Sequence, residues 1–271
     1  MAGFQCLFTK ETYHPVILKR KSKELKTTFD RCVLPSGQPD GARWRKILTA
    51  TLLRPIKMLI KSWIIAILCL ICGIVYGYLY LLFTMMPIVF TQRYHFSVGS
   101  SGLVFLGICV GSLFAVPTFL AISAHQKKTR AANPSSESTA EDKLFGSIFS
   151  NLCIALGLLW FGWSAQRTVH WIVPILGTTF IGFGSILFFL PLVAYLLEAY
   201  SSYAASALAA TTLLRSVGGA SLPLAGRSMY LRLGVGWACS VLALVSLIFS
   251  PFPFLIYKYG TRIRGRERLR L

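Results

Sequence analysis

Residues Ser62–Gln92 read SWIIAILCLICGIVYGYLYLLFTMMPIVFTQ, 31 residues without a charge. A helix needs about 20 apolar residues to cross the hydrocarbon of a bilayer, so this run is long enough to span one. Four more charge-free runs follow: Tyr94–Gln126, Leu144–Gln166, Thr168–Leu197 and Val235–Tyr257. A sixth segment, Ala199–Leu224, is interrupted once, by Arg215. The expected fold is therefore all-α: a polytopic membrane protein of six transmembrane helices, whose six spans return the chain to its starting side.

The composition of the 271 residues agrees. Fifty-five per cent are apolar, 14 % are charged, and the mean hydropathy is +0.62. Soluble globular domains carry roughly 25 % charged residues. Disorder is excluded, because a disordered chain is poor in apolar residues. Seven cysteines are too sparse for a disulfide-built secreted scaffold.

The formal net charge is +19, and a nucleic-acid binder has the same kind of balance. Position decides against that reading. Residues 1–61 hold 13 Lys and Arg, and the tail from Lys258 holds 6. The loop between the second and third runs holds Lys127, Lys128, Arg130 and Lys143. The opposite loops hold Arg93, Arg167, Arg227 and Arg232. Basic residues accumulate on the cytoplasmic side, so both termini are expected there, with the plasma membrane as the expected location and no nucleic acid as partner.

Three parts follow: a basic cytoplasmic segment 1–61, a bundle 62–257 with a cytoplasmic loop 126–143, and a basic tail 258–271. The N-terminal segment has no signal-peptide core before Trp63. Leu34–Ala42 (LPSGQPDGA) reads as a turn-rich linker. Thr49–Lys61 reads either as a basic amphipathic helix at the inner leaflet or as an extension of the first span. The stretch Ala131–Asp142 (AANPSSESTAED) is expected to be polar and mobile. Trp63, Tyr94, Trp163, Trp171, Trp237 and Tyr257 fall near span ends, as interfacial aromatics do.

Inside the spans, small residues and prolines recur. Both fit helices that approach closely and kink, whether for static packing or for gating. Arg215 stands out. It lies about twelve residues, or roughly 18 Å, inside its span, where a guanidinium costs several kcal/mol unless it faces a cavity or a partner. Substrate or counter-ion binding, or gating, is one reading, and a bond to a neighbouring helix's carbonyls is the other. Glu198, the nearest acid, lies too far along the chain for a direct pair. The spans contain no other Asp or Glu to carry a proton.

Tyr76, Tyr80 and Phe83 recur at helical spacing and share one face. They form either a ligand-binding aromatic face or part of the core. Asn151 and Thr211 are polar groups whose default role is an interhelical hydrogen bond. Cys69 and Cys72 form a lone C-x-x-C within an apolar run and read as buried thiols. The four histidines have no metal-ligand spacing, and no nucleophile elbow or phosphate-binding loop occurs. No enzyme, metal or cofactor is expected.

Several strings resemble a known family. They are ETYHPVILKRKSKEL at Glu11–Leu25, LLRPIKML at Leu52–Leu59, and YGYLYLLFTMMPIVF at Tyr76–Phe90. HWIVPILG follows at His170–Gly177, then YLLEAYSSYAASALAATTLLRS at Tyr195–Ser216, and PFPFLIYKYGTRIR at Pro251–Arg264. Together they resemble the fungal branch of the twelve-span drug:proton antiporters in the major facilitator superfamily, which includes polyamine and multidrug exporters. The resemblance covers that family's central loop and C-terminal six-helix half.

It implies efflux of small drug-like, polyamine or secondary-metabolite molecules by proton antiport. Arg215, Tyr76, Tyr80, Phe83, Glu198, Asn151 and Thr211 are the candidate pathway residues. A second half or a homodimer is the implied partner, beside the lipid bilayer and the substrate. The alternative is a truncated, non-transporting half-transporter. Two positions depart from the family's pattern: Thr211 where Asn is common, and Gly218–Gly219 where a bulky residue is common. The loop AISAHQKKTRAANPSS is also unlike the family's usual one.

Overall fold

The computed structural model describes residues 53–132, 140–166 and 168–268. The ETYHPVILKRKSKEL string, the linker Leu34–Ala42 and Arg167 lie outside the described residues, as do 133–139 of the polar loop.

A short helix over residues 53–61 comes first. Ser62 ends it with extended backbone, φ −108° and ψ 108°, and caps the next helix by accepting from the Ile65 amide at 3.3 Å. A serine hydroxyl at this position satisfies an amide that has no partner within the helix. The two helices are therefore separated by one capping residue.

The helices that follow are α1 (Trp63–Tyr94), the short α2 (Val98–Leu103), α3 (Leu106–Ala132), α4 (Ser150–Ser164), α5 (Ile172–Ala199), α6 (Ala204–Phe249) and α7 (Pro251–Arg268). A 3-10 turn, Ala140–Ser147, joins α3's side of the molecule to α4. α1 ends at His95, whose left-handed φ of 55° turns the chain. The expected loop 126–143 is shorter than the charge pattern implied. α3 stays helical through Ala132, and Gln126 Nε2 donates to the Asp142 carbonyl at 2.9 Å, tying the two sides together. The basic tail is also helical, as α7, through Arg268.

α6 is one helical run with a break. Gly234 has φ 79° and ψ 169°, a backbone region that essentially only glycine adopts. The break ends the arm that carries Arg215 and starts a second arm at Val235.

Among the described residues five helices are long and apolar enough to cross a membrane: Trp63–Tyr94, Gly99–Thr129, Glu141–Ser164, Ile172–Ala199 and Arg232–Ile263. The sixth expected span, Ala199–Leu224, is helical from Ala204 and of spanning length. Its small and hydroxyl-bearing residues and Arg215 hold its hydropathy below that of the other five. The architecture is an all-α, polytopic bundle.

α5 is the hub: it packs on α3, α4 and the 3-10 turn, while α4 packs on α6 and α1 packs along α6. In the apolar window of α1 61 % of residues are buried, against 28 % for the span containing α3, which lies at the periphery. The core includes Leu68, Met86, Phe90, Phe161, Phe188 and Tyr195, all fully buried. Leu113, Phe114, Leu244 and Ile248 point outward, as lipid-facing side chains do.

Polar links cross the bundle. The Tyr78 hydroxyl donates to the Leu242 carbonyl at 3.1 Å, joining α1 to the second arm of α6. Ser62 Oγ lies 3.2 Å from the Tyr200 hydroxyl, joining the start of α1 to the end of α5. At the opposite end Arg93 donates to the Ala165 carbonyl and the Tyr94 hydroxyl to the Gln166 carbonyl at 2.9 Å. Trp163 stacks edge-on to Trp237 at 5.9 Å and donates to Ser240 Oγ at 3.1 Å. Aromatic rings at such an end have one apolar side and one polar handle, which suits a membrane–water boundary.

Candidate functional site

The site is built where α1, α5 and α6 meet. Arg215 leaves the first arm of α6 with its guanidinium carbon 4.8 Å from the Tyr76 ring centre on α1 and 5.4 Å from the Phe189 ring on α5. A cation over a ring face is held by the ring's negative quadrupole, worth about 2 kcal/mol or more where water is scarce. Two such faces support Arg215 without neutralising it.

Around this cation the rings continue as a ledge. Tyr76 and Tyr80 lie 4.9 Å apart, Tyr80 and Phe83 5.9 Å, and Phe83 and Phe105 5.4 Å in an edge-on arrangement. The Tyr76 hydroxyl donates to the Tyr80 hydroxyl at 3.4 Å. Tyr80 and Phe83 are 41 % and 45 % exposed, so the ledge is an accessible surface and not core. Its spacing follows from the helix: i, i+4 and i+7 repeat on one side.

α6 makes room for the ledge with two glycines. A side chain on Gly218 would collide with the Gly73 carbonyl of α1, and the reverse substitution at Gly73 would put a carbon 2.7 Å from the Leu214 carbonyl. A carbon on Gly219 would lie 3.2 Å from the Tyr76 ring and 3.5 Å from that of Tyr80. The two glycines that depart from the resembled family's pattern are thus where α1 presses its backbone and rings against α6.

The structure brings Arg215, Tyr76, Tyr80 and Phe83 together. It places the other three expected residues elsewhere. Thr211 is buried between α1 and α6, donating to the Ala207 carbonyl at 3.0 Å, with its hydroxyl 3.3 Å from Cys69 Sγ. Asn151 is buried on α4 and donates to the Phe249 carbonyl at 3.3 Å, while Ser246 donates to its backbone carbonyl at 3.0 Å. Glu198 lies at the end of α5 and is paired with Lys143 at 3.4 Å. These three hold helices together and do not face the ledge.

Phe189 and Phe105 are the site residues that sequence reasoning missed. Each sits in an apolar helix or turn among many phenylalanines, so nothing local marks it. A separate pocket opens between α3, the 3-10 turn and α7, with His125, Gln126, Asp142 and Tyr257 in its lining. None of the expected residues borders it. Among the described residues no three His, Cys, Asp or Glu side chains converge.

The comparisons point the same way. The family model described as Major Facilitator Superfamily matches residues 3–223. The chain is 44 % identical over 259 residues to the MFS-type transporter atr4 of Stereocaulon alpinum, covering 96 % of this chain and 47 % of that protein. It is 42 % identical over 267 residues to the MFS-type transporter hepF of Aspergillus oryzae, covering 98 % of this chain and 54 % of the relative. It is 38 % identical over 261 residues to the efflux pump FUB11 of Gibberella fujikuroi, covering 95 % of this chain and 45 % of the relative. The chain spans about half the length of the curated relatives it matches. No solved structure matches it.

Proposed function

The chain belongs to the Major Facilitator Superfamily, and from that premise we propose that it forms one half of an exporter of small amphipathic molecules of the drug or secondary-metabolite kind. The observation that carries this reading is the meeting of Arg215 with Tyr76 and Phe189, continued by a half-exposed aromatic ledge. A charged group deep in the membrane faces a cavity or a partner, and an apolar ledge beside it suits an amphipathic ligand.

A second six-helix half, from the same or another polypeptide, completes the cavity over that ledge. Substrate then sits between two halves that rock around it. Proton antiport is the proposed coupling. The acids of these spans lie at their ends: Glu141 and Asp142 open the span Glu141–Ser164, and Glu198, near the end of α5, is paired with Lys143. The proton-carrying group is therefore assigned to the other half. The basic flanks support a plasma-membrane protein with both termini in the cytoplasm.

The test is retention of a fluorescent amphipathic dye in cells that lack their own exporters. Cells expressing the chain together with an N-terminal half should retain less dye than cells expressing either half alone, and Arg215→Gln should restore retention. Unchanged retention with both halves present at the membrane overturns the reading in favour of a non-transporting half.

A further inference from the structure

The charge balance at the ledge narrows the substrate class. Arg215 is a guanidinium supported by two ring faces, and a ring face carries no net charge to offset it. Residues 63–132, 144–197 and 199–257 contain no Asp or Glu. The acids at span ends are Glu198, engaged by Lys143, and Glu141 and Asp142, which open the span Glu141–Ser164. The Tyr76 hydroxyl gives its proton to the Tyr80 oxygen, which leaves the Tyr80 proton to point onward to another acceptor. A cation, a hydroxyl donor and a row of rings thus stand side by side, with no acid from the interior of these spans to complete them.

We propose that this site selects small amphipathic anions: a carboxylate bound by Arg215 and the Tyr80 hydroxyl, its apolar or aromatic body resting on Tyr80, Phe83 and Phe105. The inference rests on the exporter reading and sharpens it. A carboxylate meets the guanidinium fork through two parallel hydrogen bonds, the strongest pairing such a side chain makes. A polyamine, with its multiple positive charges, meets a like charge at the same point and is rejected. The same carboxylate chemistry has a second source, an acidic side chain of the other half closing onto Arg215, and the variants below tell the two apart.

The experiment is equilibrium binding to the full chain, reconstituted together with an N-terminal half, in lipid nanodiscs. The probes are 2-naphthoate, the uncharged 2-naphthamide of nearly the same shape, and spermidine. Wild type should bind the acid about tenfold or more tightly than the amide, and spermidine not measurably. Arg215→Gln should bring the acid-to-amide ratio to within about twofold while amide binding persists, which also reports that the variant is folded. Arg215→Lys keeps the charge but not the fork, and should retain a ratio of about threefold or more. Equal or better binding of the amide or spermidine by wild type overturns the inference and leaves the exporter reading standing. An acid preference unchanged in Arg215→Gln also overturns it, and points to Arg215 being taken by an acid of the protein. Failure of all three probes to bind overturns the inference together with the reading beneath it.

Discussion

Gly218 of α6 and Gly73 of α1 are in backbone contact: the Gly73 carbonyl occupies the place where a Gly218 side chain would stand. Helices in a bilayer gain nothing from burying apolar surface against each other that lipid would not supply, so close backbone approach and dispersion contacts hold them. A bulky residue here forces α1 away from α6. Gly218→Leu should therefore lower stability by about 1–3 kcal/mol, seen as earlier thermal aggregation in detergent. Gly102, beside which an added carbon meets nothing within 4 Å, is the control, and Gly102→Ala should change little.

Asn151 repairs a defect left by proline. The Phe249 carbonyl would normally accept from the amide four residues on, but that residue is Pro253, which has no N–H. Asn151 Nδ2 donates instead, at 3.3 Å. Asn151→Leu should cost about 0.6–1.7 kcal/mol, the range of interhelical hydrogen bonds in membranes. Ser246→Ala removes the neighbouring bond to the Asn151 carbonyl. The double variant should lose less than the sum of the two, because both bonds act through one residue. Additive losses in thermal denaturation would contradict this coupling.

The Lys143–Glu198 pair is a different matter. Its side chains are 26 % and 41 % exposed, so water and salt screen it. Glu198→Gln should change stability by less than about 1 kcal/mol, and that difference should shrink as salt is raised. Dye efflux should be unaffected. A strong loss of efflux with stability intact would return Glu198 to the substrate path.

Much of this was legible in the sequence. Charge-free runs mark the long helices, because a bilayer tolerates few charges at depth. Arg215 stood out for the same reason, and helical periodicity put Tyr76, Tyr80 and Phe83 on one face; only the family resemblance set the cation and that face on one path. Phe189 was not legible: it reaches Arg215 only because α5 and α6 fold beside α1, a long-range relation no window contains. Thr211, Asn151 and Glu198 were placed among the pathway residues because a polar group in an apolar run looks functional. Their partners, Cys69, Phe249 and Lys143, lie far away in sequence and account for each of them structurally. The break at Gly234 was hidden for another reason. Glycine is common in these helices, and only the backbone angle distinguishes the one that turns the chain.

Tyr76 separates the ring's role from the hydroxyl's. Tyr76→Phe keeps the face that holds Arg215 and loses only the bond to Tyr80, so efflux should stay within about twofold of wild type. Tyr76→Leu removes the face and should weaken apparent substrate affinity about tenfold, in line with a cation–π contact of roughly 1–2 kcal/mol. Equal losses in the two variants would assign the effect to the hydroxyl.

On the exporter reading the Tyr80–Phe83 ledge lines a wet substrate path, whereas the outer face of α3 meets lipid. Single cysteines at Tyr80, Phe83 and Leu113, in a chain whose seven native cysteines are replaced, test it directly. Leu113 is 71 % exposed, more than either ledge residue, so exposure alone predicts that it reacts fastest. With the second half present in membranes, a charged maleimide that requires water should label positions 80 and 83 and spare 113, and 2-naphthoate should slow the labelling at 83. Protection of 80 and 83 to the same degree as 113 would put the ledge in lipid or in a sealed interface and contradict the account.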